Sequence, residues 1–151
     1  MTKIKLSKNY SIRRMRLLDA PFYNSIRNEC RMFLHDHTQY SPKECRKWFI
    51  NTLPTFFILF YNRKKIGYFR TSDWGDDKSA FIGLDLHSDF RGLTHAQKSY
   101  PLFMNYLRNE FGISKFYLRV LKNNPVAKHI YDKLGFNVVQ ETNIDFKMEL
   151  L

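Results

Sequence analysis

Between Leu84 and Ala96 the chain reads LDLHSDFRGLTHA: the end of an apolar strand, a polar turn, and the opening of a helix. Such a junction collects backbone N–H groups at a helix N-terminus, where unpaired donors and the helix dipole favour a phosphate. Arg91 adds a forked cation, and Gly92 lets the backbone approach a ligand closely. Alternation along the strand puts Phe81, Gly83, Asp85 and His87 on one face and Ile82, Leu84 and Leu86 on the other. Asp85 and His87 then stand roughly 6–7 Å apart, two groups able to accept a proton. The plainer alternative is a connection in which Asp85 pairs with a neighbouring arginine and His87 meets solvent.

A second segment follows about thirty residues on, Asn124-Pro-Val-Ala-Lys-His-Ile-Tyr-Asp-Lys-Leu-Gly-Phe. Asn124 suits an N-cap, Pro125 the first helical position and Gly135 the C-terminal stop. The first segment's RGLTHA resembles the Q/R-x-x-G-x-G/A signature of the GNAT acetyltransferases. Arg91 and Ala96 match its ends, and Thr94 stands where the family usually has glycine. The second segment is similar to the family's N-x-x-A-x-x-x-Y-x-x-x-G-F stretch at every fixed position.

The resemblance implies acetyl-CoA as cosubstrate, no metal, and a single α/β domain over residues 1–151. It implies a mixed, largely antiparallel sheet flanked by helices, with central parallel strands that splay apart near Leu86 and Val120. Backbone groups around Leu84 and Leu86 would pair with pantetheine, as a ligand adds itself to a sheet edge. Arg91, Gly92, Leu93, Thr94, His95 and Ala96 would hold the pyrophosphate, and Asn124 the pantetheine arm. Tyr131 would protonate the departing thiolate. Asp85 or His87 would take the amine proton; Glu29 is a further candidate. Asn124 as a plain helix cap and Tyr131 as a packed aromatic are the alternatives.

These residues need elements to position them. Tyr10 to Arg16 alternates as a strand, and Asp19 with Pro21 opens a helix reaching about Asn28. A loop containing Cys30, His35, Asp36 and His37 follows; its spacing matches no closed zinc site, and it is expected to shape an acceptor pocket or simply to be exposed. Ser41-Pro42 opens a helix with Cys45, Trp48, Phe49 and Leu53 inward. Thr55 to Tyr61 reads as a strand buried on both faces, Asn62 to Lys65 as a turn, and the return strand carries Gly67, a sign of close approach or a bulge. Ala96, Tyr100, Phe103, Leu107 and Phe111 share a helical face interrupted by Pro101. Lys115 to Leu121 is a strand, and the tail supplies one or two more.

The 151 residues are 44% hydrophobic, 17% aromatic and 26% charged, which suits one globular domain and excludes disordered and collagen-like classes. No apolar run approaches the roughly 20 residues of a membrane helix, and no signal peptide is visible, so a cytoplasmic protein is expected. Two cysteines make no disulfide framework. Lys plus Arg number 25 against 14 Asp plus Glu, a net charge of +11 that favours anionic partners.

The leading expectation is N-acetyltransfer to a primary amine on a small anionic acceptor, such as a nucleotide-linked amino sugar, by a monomer or homodimer. A macromolecular acceptor, protein or aminoacyl-tRNA, is the alternative, and nucleic acid is less favoured than a small molecule. Thr94 and Pro101 would also suit an acetyl-CoA-binding protein without catalysis, against which Tyr131 speaks.

Overall fold

Strands β1 (Ile4–Lys5) and β2 (Tyr10–Arg14) pair antiparallel, and Asp19 then heads α1 (Ala20–Cys30). Pro21 sits in its first turn, as expected, but the Asp19 carboxylate does not cap the helix. It accepts two hydrogen bonds from Arg13, at 2.7 and 2.9 Å, one from Lys65 at 3.0 Å, and one from the Arg16 amide at 2.7 Å. A buried carboxylate is held where cations satisfy it.

The second helix, α2 (Pro42–Thr52), opens on a reciprocal cap: the Glu44 amide donates to Ser41 Oγ and the Ser41 amide donates to Glu44 Oε1. Cys45, Trp48 and Phe49 turn inward. Leu53 does not; it ends the helix with φ +47° and is 71% exposed, because a left-handed terminal residue leaves the helical face its spacing suggested.

Strands β3 (Phe57–Tyr61) and β4 (Lys64–Ser72) form a hairpin. Its turn is only Asn62 and Arg63, both at positive φ as a tight hairpin requires. Gly67 makes the expected close approach, since a Cβ there would stand 2.3 Å from the Asp85 carbonyl oxygen. The remaining elements are β5 (Ser79–Leu86), α3 (His95–Phe111), β6 (Lys115–Leu121), α4 (Pro125–Leu134), β7 (Asn137–Glu141) and β8 (Asp145–Leu150). Pro101 lies inside α3 without ending it.

The computed structural model describes residues 2–92 and 94–151. Among these, eight strands make one mixed sheet in the order β1-β2-β3-β4-β5-β6-β8-β7, in which only β5 and β6 are parallel. One apolar layer, with Phe57, Phe69, Phe103, Leu107 and Phe116, packs against α3 and α4. The other, with Tyr23, Ile26, Cys45, Ile58 and Tyr68, packs against α1 and α2. Adjacent residues Phe57 and Ile58 serve opposite layers, so β3 is buried on both faces as its continuous apolar run suggested. No helix among the described residues is long and apolar enough to cross a membrane.

Candidate active site

The parallel strands β5 and β6 pair only from Ser79–Lys115 to Phe81–Tyr117. β5 continues to Leu86 and β6 to Leu121, so beyond this rung they part and leave a gap through the middle of the sheet. Two cavities meet at the gap. The first, about 740 Å³, reaches from the turn before α3 along α4 and includes Leu84, Leu86, Ala96, Asn124 and Tyr131. The second, about 680 Å³, lies toward α1 and α2 and includes Tyr23, Arg27, Tyr40 and Trp48. Phe33, Leu34, Arg70, Asp85 and Arg119 line both.

At the mouth of the first cavity the chain turns through Gly92 at φ +73° and Thr94 at φ +67° before α3 begins at His95. The turn aims the start of α3 at the cavity, which Gly92, Thr94, His95 and Ala96 line. Leu93 lies outside the described residues. Arg91 braces this turn: it donates to the Leu86 carbonyl at 3.0 Å and to Cys30 Sγ at 3.1 Å, and stands 3.5 Å from Glu29. His95 Nδ1 is 2.6 Å from the Tyr10 hydroxyl. Burial and then Lys98 lower its pKa, so the imidazole is neutral near pH 7.

Asn124 does cap α4, its Oδ1 accepting from the Ala127 amide at 3.2 Å, and it also lines the first cavity. The cap is therefore real, and it leaves Asn124 on the wall of this cavity. Tyr131, on the inner face of α4, has its hydroxyl 3.3 Å from that of Tyr100. Burial raises the pKa of both phenols and keeps them protonated.

Asp85 and His87 part company. The strand ends at Leu86, so the alternation that would align them stops one residue short of His87. His87 instead caps the following turn, Nδ1 accepting from the Asp89 amide at 3.1 Å, and it lines neither cavity. Asp85 is buried at the junction, with Oδ2 3.1 Å from Arg70 Nε and Oδ1 accepting from Arg70 Nη2 at 3.4 Å. Oδ2 is out of line with the Nε–H and has no hydrogen-bond partner. The arginine pairing anticipated as the plainer alternative is thus real, yet it leaves Asp85 facing both cavities. Glu29 lines neither.

Loop residues 31–40 wall the second cavity, as expected of a pocket-shaping loop. His35 Nε2 is 2.7 Å from Asp145 Oδ2, and Asn123 donates to the Met32 carbonyl at 2.9 Å, tying the loop across to β8 and the turn before α4. Arg27 holds it from the other side through the Thr38 and Asp36 carbonyls. No group of three or more metal-ligating side chains occurs among the described residues. Burial pushes the Cys30 thiol up to about 11, so it is no ready nucleophile.

A model of the Acetyltransferase (GNAT) family matches residues 14–136. The chain belongs to this family. Solved structures share its fold at identities that speak for the fold alone. The acetyl transferase that modifies the N-terminal serine of 50S ribosomal protein L7/L12 from Salmonella typhimurium has a TM-score of 0.79 at 16% identity, over 99% of each chain. A GNAT-family acetyltransferase from Bacillus anthracis has a TM-score of 0.84 at 10% identity, over 99% of this chain and 98% of that one. Spermidine N-acetyltransferase from Vibrio cholerae has a TM-score of 0.81 at 18% identity, over 96% of this chain and 95% of that one. No curated protein matches the sequence.

As a GNAT acetyltransferase the protein uses acetyl-CoA. The first cavity fits such a cosubstrate: it is long, it runs beside strand edges that the splay leaves unpaired, and it ends on a helix N-terminus. Sequence reasoning missed Arg70, Gly83 and Arg119, which complete the junction. One signal was available for the first two: in an antiparallel hairpin the glycine of one strand leaves room for the long side chain registered opposite it.

Proposed function

We propose that the chain, as one acetyltransferase domain over residues 1–151, transfers acetyl from acetyl-CoA to a primary amine on a small anionic acceptor, such as a nucleotide-linked amino sugar. The observation that carries this reading is the meeting of two cavities across the splayed sheet at Asp85. The first takes the cosubstrate: Leu84 and Leu86 offer backbone groups to the pantetheine amides, and Gly92, Thr94, His95 and Ala96 surround the pyrophosphate at the head of α3. Arg91 holds that turn in shape, and Asn124 faces the pantetheine arm. The second cavity takes the acceptor, whose neutral amine attacks the thioester carbonyl at the junction. Asp85 Oδ2, without a hydrogen-bond partner, receives the amine proton. Tyr131 gives its proton to the sulfur as the C–S bond breaks.

A cavity of about 680 Å³, roofed by a loop tied down at both ends, has the size of a small-molecule site. Its acids are engaged within the protein: Glu44 with Ser41, Asp36 with Thr38, Tyr40 and Arg27, Asp85 with Arg70. Lys47, on the wall of this cavity, is in no ion pair among the described residues. Charge is therefore left over for an anion. Two unbridged buried thiols suit the reducing cytoplasm.

Release of the CoA thiol, followed with a UDP-linked amino sugar, spermidine and a peptide with N-terminal serine, tests this. The amino-sugar nucleotide is expected to be the best of the three by kcat/KM. Faster turnover of spermidine or the peptide would reverse the assignment.

A further inference from the structure

A glycine inside a central strand weakens it unless its missing side chain leaves room for something. Gly83 lies in β5, between β4 and the start of the gap. A Cβ at this position would stand 2.5 Å from Nη2, 2.6 Å from Cζ and 3.1 Å from Nη1 of Arg70. The three nearest atoms all belong to one guanidinium. Register explains the encounter: Arg70 on β4 is paired with Gly83 on β5, and Asp85 lies two residues further along the same face. The Arg70 side chain therefore crosses β5 over Gly83 and ends on the Asp85 carboxylate.

Among the described residues Arg70 is the only cation paired with Asp85. Tyr68 on β4, Tyr23 and Cys30 on α1, Tyr100 on α3 and Tyr131 on α4 are the polar groups around it, with burial raising the pKa of each. Arg119 on β6 is drawn to Asp145. Without Arg70 the carboxylate would lose the one cation that fixes its orientation, leaving only the Tyr68 phenol opposite it. An error of 1 Å in the position of a reacting group costs about a hundredfold in rate.

We propose that Arg70 is a positioning residue for acetyl transfer, holding Asp85 at the junction, and that Gly83 is the space that admits it. The proposal rests on Asp85 as the proton acceptor. Its test is a double-mutant cycle with kcat, the KM for acetyl-CoA and Tm as readouts, using the fastest of the three acceptors named above. Arg70→Ala lowers kcat by about a hundredfold, with the KM for acetyl-CoA within about threefold of wild type, an interaction lost mainly in the transition state. Gly83→Ala lowers kcat in the same way, by pushing the guanidinium off Asp85. The double variant is no slower than Arg70→Ala, because the guanidinium that the methyl would displace is already gone.

Equal kcat losses from Gly83→Ala in the two backgrounds overturn the proposal, as does an Arg70→Ala variant with wild-type kcat. Tm follows the same logic with no acceptor present: Gly83→Ala lowers it in wild type and leaves it unchanged beside Arg70→Ala, and equal drops in both overturn the spatial claim. Asp85→Asn separates the two failures. If it retains kcat, the proton-acceptor reading falls; if it is inactive while Arg70→Ala is not, only the positioning proposal falls.

Discussion

The hydroxyls of Tyr131 and Tyr100 stand 3.3 Å apart on the wall of the first cavity, one from α4 and one from α3. The pair couples the two helices beside the gap. Because burial raises both phenol pKa values above their ordinary level near 10, both remain donors throughout the neutral range.

Removing the Tyr131 hydroxyl tests its part in the reaction. Tyr131→Phe is expected to lower kcat by about a hundredfold or more while the Kd for acetyl-CoA stays within about twofold. Tyr100→Phe should have a smaller effect in the same direction, since it removes only the hydrogen-bond partner of Tyr131. Steady-state kinetics beside a calorimetric titration separate these outcomes, and an unchanged kcat in Tyr131→Phe removes it as the essential acid. The raised pKa also carries a sign: loss of the Tyr131 proton cannot reduce the rate until pH exceeds about 10.

Arg91 acts on cosubstrate affinity through its brace. Arg91→Ala loses the bonds to the Leu86 carbonyl and Cys30 Sγ and frees the turn before α3. The Kd for acetyl-CoA should rise about tenfold, as the loss of a charge-assisted contact predicts, with folding stability nearly unchanged. Titration returning the wild-type Kd would remove Arg91 from the binding site.

Thr94 carries a backbone cost. At φ +67° a β-branched residue is strained, and the family's usual glycine at this position would be free of it. Thr94→Gly is expected to stabilise the protein by about 1 kcal/mol, seen as a higher urea midpoint, with acetyl-CoA affinity kept. A lower midpoint would mean that the threonine side chain contributes more than its backbone costs.

Asp19 makes stability depend on acid. Burial alone would raise its pKa, but the bonds from Arg13, the Arg16 amide and Lys65 outweigh burial and bring it down to about 2. A carboxylate whose folded pKa is depressed contributes stability above the unfolded value near 3.9 and loses it as pH falls through the folded one. Unfolding free energy should therefore decline by about 2 kcal/mol between pH 4 and pH 2 from this group. Asp19→Asn should flatten that part of the profile and cost about 3 kcal/mol at pH 7, because Arg13 is left buried with one partner fewer.

Local chemistry was legible in the sequence because it depends on near neighbours. Asn124, Pro125 and Gly135 bound α4, Ser41 and Glu44 cap α2, and the two motif segments lie on the elements their spacing implied. The continuous apolar run of β3 announced burial on both faces. Even the warning of Gly67 was sound, since it marks a real close approach to Asp85.

What the tertiary structure alone decided is which side chains meet. His87 and Asp85 are two residues apart, yet only Asp85 reaches the junction, because the strand ends between them and the turn claims the imidazole. Arg70 and Gly83 are thirteen residues apart in sequence, and a glycine facing a long side chain across a hairpin becomes a signal only once the register is known; antiparallel register puts one into the space of the other. Likewise, His35 and Asp145 close the second cavity across |i−j| = 110. Periodicity and capping follow from the backbone's own geometry over a few residues. Register and long-range pairing follow from the packing of whole strands, so the family was legible in the chain's own motifs, while the set of side chains that meet where the two cavities join came from the fold.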